Sequence, residues 1–150
     1  MGVLAVTLVG AGAAHGVQAQ TPGNSKLLIA QAGGAEQLTW QKDLSASLKQ
    51  ATAARKWVLV DVYTDWCGWC KKMDSDTFTD ASVARTLNSS FICVKVNADA
   101  GSLGSWVKRT YDVHSYPCIL VLEPNGRLKA KLKGYQPAEK FRASLASAVR

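Results

Sequence analysis

Residues 57–70 read WVLVDVYTDWCGWC and decide the fold, because they place Cys67 and Cys70 directly after an apolar run. Residues 57–63 are apolar and rich in β-branched side chains, which is typical of a buried strand. Residues 71–76 contain neither Gly nor Pro and are compatible with a helix. The pattern therefore predicts that the two cysteines lie on a turn from a buried strand into a helix.

A Cys-x-x-Cys pair on such a turn has the arrangement used for dithiol–disulfide chemistry. The helix N-terminus presents free N–H groups and the positive end of the helix dipole to Cys67, which favours its thiolate. Cys70 lies one turn further along the helix, close enough to form a disulfide with Cys67.

Two other interpretations of the pair remain as alternatives. A structural zinc site normally needs four ligands. The other candidate ligands include no second close-spaced pair; they are His15, Cys93, His114 and Cys118. A purely structural disulfide is common in exported proteins, but the strand–turn–helix context argues against it. No metal is therefore expected.

The N-terminal segment is uncharged and resembles a secretory signal peptide, although it lacks a basic residue at its start. Residues 3–14 are mostly small and apolar, and residues 17–19 fit a small-x-small cleavage site, with cleavage expected after Ala19. The apolar run is too short to span a membrane, so no stable insertion is expected after cleavage. The predicted division is a signal peptide (1–19), a flexible leader (20–37) and one domain (38–150).

Export would place the protein in an oxidising compartment, periplasmic or otherwise extracytoplasmic. Structural disulfides could then involve the two remaining cysteines, Cys93 and Cys118. Both lie inside apolar strand-like runs, and a buried free cysteine behaves as a small hydrophobic residue. We therefore expect both to be buried thiols that do not bond to each other.

The chain carries a net charge of +7, and basic residues concentrate near the C-terminus. In a strand, the charges on one stretch would share a face; they are Arg127, Lys129, Lys131 and Lys133. An exposed edge strand protected by charge is the favoured interpretation, and a docking surface is the alternative. No aromatic residues alternate with these charges and no nucleic-acid motif is present, so no nucleic-acid partner is expected.

The hydrophobic pattern predicts the order β-α-β-α-β-β-α with an extra helix in front, which is an α/β mixed sheet covered by helices. Strands are expected over residues 57–63, 91–96, 118–122 and 127–133. Helices are expected after Asp43, after the cysteine pair, after Asp80, over residues 103–111 and from Pro137.

From about residue 38 to residue 150, the chain resembles the thioredoxin-fold family. It is most similar to small exported thioredoxin-like proteins and to the C-terminal thioredoxin-like domain of the disulfide reductase DsbD. The matching stretches are residues 60–73, 77–78, 95–99, 116–117 and Gly134. Two departures concern the dipeptide Gly68-Trp69, where cytoplasmic thioredoxins have Gly-Pro, and Cys118, where thioredoxins usually have Thr.

The resemblance implies a role for each of four catalytic residues. Cys67 matches the attacking cysteine and is expected to be exposed, whereas Cys70 matches the more buried resolving cysteine. Asp61 matches the buried aspartate of thioredoxins, which can take the proton from Cys70. Lys95 lies in the neighbouring strand of the family's sheet and is the expected partner of Asp61.

The resemblance also implies a partner-binding surface. Pro117 matches a cis-proline that faces the cysteines and turns the Tyr116 backbone outward, where an extended partner segment can pair with it. Aromatic side chains would form a rim around the attacking cysteine, although a core position is an alternative for Trp66. The expected surface residues are Trp66, Gly68, Trp69, Tyr116, Pro117 and Gly134.

These expectations describe an exported thiol–disulfide oxidoreductase without a metal or organic cofactor. Net reduction is favoured, through a mixed disulfide at Cys67 that Cys70 resolves, because the Asp61–Lys95 pair and the DsbD-like surroundings belong to reductants. The expected partners are disulfide-containing or dithiol proteins, with a membrane electron donor as a further candidate. A disulfide oxidase or isomerase and a non-catalytic binding module are the alternatives.

Overall fold

Five strands form one mixed sheet in the part of the chain that the structure describes, residues 37–150 of a computed structural model. The strands are β1 (Trp40–Gln41), β2 (Trp57–Tyr63), β3 (Phe91–Asn97), β4 (Cys118–Leu122) and β5 (Leu128–Lys133). Their order across the sheet is β1-β3-β2-β4-β5. Because β2 pairs in parallel with β3 and antiparallel with β4, the predicted central strand and mixed sheet are confirmed.

Five α-helices connect the strands, and the one that follows the cysteine turn continues as a π-helical turn. They are α1 (Leu44–Ala54), α2 (Gly68–Lys72) with the π-helical turn Met73–Thr77, α3 (Ala81–Ser90), α4 (Gly101–Thr110) and α5 (Ala138–Ala148). The side chains of Asp43 and Asp80 accept backbone N–H groups at the starts of α1 and α3, as their sequence positions predict. The sequence did not predict β1, since two residues carry no periodic signal.

The two faces of the sheet support separate hydrophobic clusters. Val58, Val60 and Val62 face the cluster that includes residues of α1 and α4. Leu59 faces the other cluster, which includes residues of the π-helical turn, α3 and α5. Since side chains alternate along a strand, Asp61 lies on the Leu59 face of β2, the face covered by the continuation of the cysteine helix.

The two cysteines outside the Cys-x-x-Cys pair are free and buried, as predicted. Cys93 pairs in register with Leu59 and Cys118 with Val62, so β2 separates them. They also belong to clusters on opposite faces of the sheet. Burial raises the pKa of the Cys93 thiol to about 12 and also raises the pKa of the Cys118 thiol.

The basic strand β5 lies at an edge of the sheet, which confirms the edge-strand prediction. It begins at Leu128, one residue later than expected, because Arg127 belongs to the preceding turn and pairs with Glu123. The side chain of Lys131 donates from Nζ to the backbone oxygen of Asp112 at 2.7 Å. At least one basic side chain of β5 therefore stabilises the fold through a hydrogen bond to the backbone.

Helix α4 packs very closely on the end of β3. A Cβ atom at Gly104 would lie 2.3 Å from the backbone oxygen of Asn97, so only glycine fits at this approach. The contact fixes the β3–α4 connection, which carries Asp99 to the surface beside the cysteine turn.

The predicted signal peptide, residues 1–19, lies outside the described residues, and so does the predicted leader, residues 20–37, apart from Gln37. Both remain predictions. Within residues 37–150, no helix is long and apolar enough to cross a membrane.

Candidate active site

Cys67 and Cys70 form a disulfide at the start of α2, with their Cα atoms 5.3 Å apart. Cys67 is the N-cap residue of this helix, and its Sγ accepts the backbone N–H of Cys70 at 3.1 Å. The Cys67 N–H in turn donates to the Thr64 oxygen at 3.2 Å, which closes the turn from β2 into α2. The predicted strand–turn–helix setting of the pair is confirmed.

The expected difference in exposure between the two cysteines is absent from this disulfide form. Cys67 and Cys70 are each 5% exposed, so the expectation of an exposed Cys67 above a more buried Cys70 is wrong here. In the disulfide, each sulfur is covered by the other, and the exposed side chains at this site are those of the neighbouring tryptophans. Trp66 is 71% exposed and Trp69 is 59% exposed, which also excludes the core position considered for Trp66.

Asp61 and Lys95 form the expected ion pair, next to the π-helical turn that continues the cysteine helix. Lys95 Nζ lies 2.7 Å from Asp61 Oδ2 and 2.6 Å from Asp74 Oδ1. Asp61 is almost fully buried, whereas Asp74 lies on the exposed side of the π-helical turn. Lys95 therefore links a buried carboxylate to an exposed one. The sequence analysis missed Asp74, although its place four residues after Cys70 on a continuing helix is a usable signal.

Three aromatic rings surround the ammonium group of Lys95. Its Nζ lies 4.9 Å from the ring centroid of Trp40, 5.0 Å from that of Tyr63 and 5.6 Å from that of Phe78. Ring faces attract cations at such distances. Burial lowers the pKa of Lys95, but Asp61 and Asp74 together outweigh that effect and raise the pKa above its ordinary value. Lys95 is thus held as a cation.

Burial dominates the titration of Asp61. It raises the pKa of the carboxyl above its ordinary value, against the opposing attraction of Lys95. The second oxygen, Oδ1, is buried without a hydrogen-bond partner. A carboxylate oxygen without a donor is free to accept a proton, so Asp61 is suited to proton exchange.

An exposed tryptophan precedes each cysteine, and each tryptophan contacts a tyrosine. Trp66 meets Tyr116 edge to face at 5.9 Å between ring centroids. Trp69 meets Tyr135 at 5.5 Å with the rings inclined by 32°. The expected rim of Trp66, Trp69 and Tyr116 therefore lies on the surface, and it includes Tyr135. The sequence analysis missed Tyr135, although this residue directly follows the expected site residue Gly134.

Trp66 is also fixed by a polar contact. Its Nε1 donates to Asp99 Oδ2 at 2.9 Å, and Lys108 reaches the other oxygen of that carboxylate at 3.3 Å. The hydrogen bond from Trp66 lowers the pKa of Asp99 below its ordinary value. The loop between β3 and α4 thus orients the tryptophan before Cys67.

The peptide bond between Tyr116 and Pro117 is cis. Pro117 is buried, and its oxygen accepts the N–H of Gly134 at 2.9 Å. Gly134 has φ of +78°, a conformation that favours glycine. Because Cys118 pairs with Val62, Pro117 lies beside the end of β2 that leads into the cysteine turn. Gly68, between the cysteines, is exposed with no atom near its Cβ position.

Within residues 37–150, no group of three or more His, Cys, Asp or Glu side chains could hold a metal ion. The exposed His114 lies beside Asp112.

A disulfide at a helix start, together with a mixed five-stranded sheet covered by helices on both faces, defines a protein of the thioredoxin fold with a Cys-x-x-Cys site. The chain belongs to the family described as the thioredoxin-like domain, whose model matches residues 44–148.

Known relatives agree with this class. The chain is 31% identical over 121 residues to the thiol:disulfide interchange protein DsbD of Colwellia psychrerythraea, which covers 79% of this chain and 20% of that protein. It therefore spans about a fifth of the length of the curated relatives that it matches first.

Two solved structures show the same fold. A thioredoxin from Thermus thermophilus superimposes with a TM-score of 0.67 at 25% identity, over 75% of this chain and 87% of that one. The reduced C-terminal domain of DsbD from Neisseria meningitidis gives 0.58 at 26% identity, over 70% and 93%.

Proposed function

We propose that the protein reduces disulfides of exported partner proteins through a mixed disulfide at Cys67. The observation that carries this proposal is the Cys67–Cys70 disulfide at the N-terminus of α2. A thiolate at that position is stabilised by the helix end. The same two sulfurs can then alternate between dithiol and disulfide without any further group.

The reaction begins with the reduced protein. The Cys67 thiolate attacks one sulfur of a partner disulfide, forms a new S–S bond and releases the other partner sulfur as a thiolate, which takes up a proton. The Cys70 thiolate then attacks Cys67 Sγ, forms the Cys67–Cys70 disulfide and releases the second partner thiol. Two electrons pass to the partner, and the protein ends as the observed disulfide.

Asp61 is proposed to accept the proton of Cys70 when that thiol must attack. Its raised pKa and its unpaired Oδ1 support this role. Lys95 holds the other oxygen and connects it to Asp74, which faces solvent. A cleft of about 410 Å³ borders Asp74 and Lys95, so a proton can leave this group of residues toward water.

The partner-binding roles follow the surface around the disulfide. Trp66 and Trp69 offer exposed aromatic area beside the half-buried Tyr116, and Gly68 leaves the dipeptide between the cysteines unobstructed. The backbone near the cis-bonded Pro117, which Gly134 holds, is proposed to pair with an extended partner segment. These contacts would align a partner disulfide with Cys67.

Net reduction in the periplasm, or in another extracytoplasmic compartment, is part of the proposal. The similarity to proteins named thiol:disulfide interchange protein and the uncharged N-terminal sequence support it. The same proposal includes the signal peptide over residues 1–19, the leader over residues 20–37 and the domain over residues 38–150. Disulfide-containing or dithiol proteins are the proposed partners, and a membrane protein is the proposed electron donor.

The decisive test combines turnover with reduction potential. The mature protein is incubated with a disulfide-containing protein such as insulin and a thiol donor, and Cys67→Ser serves as the inactive control. Cys70→Ser is expected to accumulate mixed disulfides, because the attacking thiol remains and the resolving thiol is lost.

The potential of the Cys67–Cys70 pair, measured in a glutathione series, separates the two directions of transfer. A value near about −270 mV supports a reductant, and a value near about −120 mV supports an oxidase. Wild-type protein that reduces nothing, together with a Cys70→Ser variant that traps no partner, would leave the non-catalytic binding module as the better description.

A further inference from the structure

We propose that Tyr135 is a specificity-determining residue: it holds Trp69 beside the disulfide, and the Trp69–Tyr135 pair selects partner segments with an apolar side chain next to the reacting cysteine. The inference rests on the proposed function, because it concerns which partner disulfides are reduced. It assigns Tyr135 a positioning role, since this residue acts through Trp69.

Trp69 needs such support because it is exposed. It lies between the cysteines, in the first turn of α2, and 59% of its surface faces solvent. A side chain in that position loses conformational freedom only when a neighbour fixes it. Tyr135 is such a neighbour, with ring centroids 5.5 Å apart and planes inclined by 32°.

Tyr135 is itself held from several directions. Its hydroxyl donates to Asp76 at 3.3 Å, and Lys72 Nζ lies 5.4 Å from the centre of its ring. Lys72 and Asp76 also pair with each other. Next along the chain, the Gln136 oxygen accepts a buried hydrogen bond from Thr77 at 2.6 Å. The β5–α5 connection is thus anchored to the continuation of α2, and the tyrosine ring is fixed whether or not Trp69 is present.

The chemistry of this surface indicates what it accepts. The residue before each cysteine is a solvent-exposed tryptophan in contact with a tyrosine. Exposed aromatic area at a reacting site gains most free energy by covering apolar partner surface. A partner cysteine next to a Phe or Leu side chain therefore fits better than one next to Ala, while a small disulfide such as oxidised glutathione gains little.

The test measures single-turnover reduction of two disulfide-bridged peptides that differ only in Phe or Ala beside the cysteine, with oxidised glutathione as a third substrate. Wild-type protein is expected to prefer the Phe peptide. Tyr135→Ala is expected to lower the Phe/Ala rate ratio by about 2- to 10-fold, the range of one aromatic pair. The rate with glutathione should fall by a smaller factor than the rate with the Phe peptide.

Three further variants isolate the cause of the preference. Tyr135→Phe keeps the ring and loses only the hydroxyl bond to Asp76, so it should retain most of the preference. Trp69→Ala should lower the preference to the level of Tyr135→Ala, and combining the two substitutions should lower it no further. Trp106→Ala removes an exposed tryptophan of α4 that contacts a different tyrosine, Tyr111, just after the end of that helix, and it should leave the preference intact.

An unchanged ratio in Tyr135→Ala, or an equal loss in Trp106→Ala, would overturn the inference while the proposed function stands. An additional loss when Tyr135→Ala is combined with Trp69→Ala would also overturn it, because Tyr135 would then act independently. Wild-type protein that is inactive toward all three substrates would overturn the proposed function, and this inference with it.

Discussion

The two pairs of cysteines in this chain differ in chemistry although they hardly differ in burial. Cys67 and Cys70 are each 5% exposed, Cys93 is 4% exposed and Cys118 is 1% exposed. The first two form a disulfide at a helix start, and the other two are free thiols in β3 and β4. Exposure in the disulfide form thus does not identify the reactive cysteines. The backbone beside each sulfur does, because only the first pair lies at a helix N-terminus.

The strongest test of this comparison is to remove one cysteine from each pair. Cys67→Ser should abolish reduction of a protein disulfide, since no other thiol is placed to attack. Cys93→Ala should keep nearly the wild-type rate, because Cys93 lies across β2 from Cys118 and within a hydrophobic cluster. Rates are measured on the reduced proteins, with melting curves to exclude unfolding. Substantial turnover by Cys67→Ser would break the assignment of the attacking cysteine.

Alkylation of the reduced protein gives the next largest difference. The pKa of the Cys93 thiol is raised to about 12, so roughly 10⁻⁵ of it is thiolate at pH 7. Cys67 is expected to be labelled first in a short iodoacetamide pulse, by a factor of at least about 10³ over Cys93, because the thiolate is the reactive form. Peptide mass spectrometry reads the order. Equal labelling of Cys93 or Cys118 would remove the distinction between the two pairs.

The sequence was sufficient for the parts of this comparison that depend on local pattern. The apolar run before the cysteines predicts β2, and the spacing of acidic caps predicts the starts of α1 and α3. The Asp61–Lys95 contact and the cis bond at Pro117 could be predicted only through the resemblance to the family. An aspartate inside an apolar strand signals a special residue, but it does not name its partner.

What the sequence did not predict depends on the distant packing of side chains. Asp74 contacts Lys95 of β3 from the π-helical turn that follows α2. Tyr135 meets Trp69 because Gly134 turns the chain back toward α2. The low exposure of Cys67 follows from the disulfide itself. The hydrophobic pattern does not supply these contacts, and the sequence offers only the helical spacing of Asp74 from Cys70 and the position of Tyr135 directly after Gly134 as clues.

Asp61 lies in the strand between the two free cysteines and is proposed to serve only the catalytic pair. Asp61→Asn keeps the shape and removes the proton acceptor. Loss of a general base costs about 10²–10⁴-fold in a step limited by proton transfer. We expect a loss in that range for resolution of the Cys67 mixed disulfide at pH 7. Stopped-flow kinetics measure that step. Equal rates of mixed-disulfide resolution in wild type and Asp61→Asn would show that Asp61 has no role in it.

The smallest expected effect is on stability, and its dependence on pH has a definite sign. Burial raises the pKa of Asp61 in the folded protein above the ordinary value of 3.8. The folded state therefore holds this proton more tightly than the unfolded state does. The stabilising contribution of the protonated form is complete below about pH 4, and it is lost as pH rises through the folded pKa. Each pKa unit of elevation corresponds to about 1.4 kcal/mol.

Asp61→Asn should therefore match wild type in stability near pH 3 and exceed it at pH 7, since the amide never acquires the buried charge. In the wild-type protein, Lys95 Nζ also lies 2.6 Å from Asp74 Oδ1. Lys95 therefore keeps one carboxylate partner in the variant. Urea unfolding at several pH values measures the difference, and Cys93→Ala is the control without this pH dependence. A variant that loses stability relative to wild type as pH rises would show that the Lys95 ion pair outweighs the burial of Asp61. In that case, the attraction between Lys95 and Asp61, rather than desolvation, would set the proton affinity of Asp61.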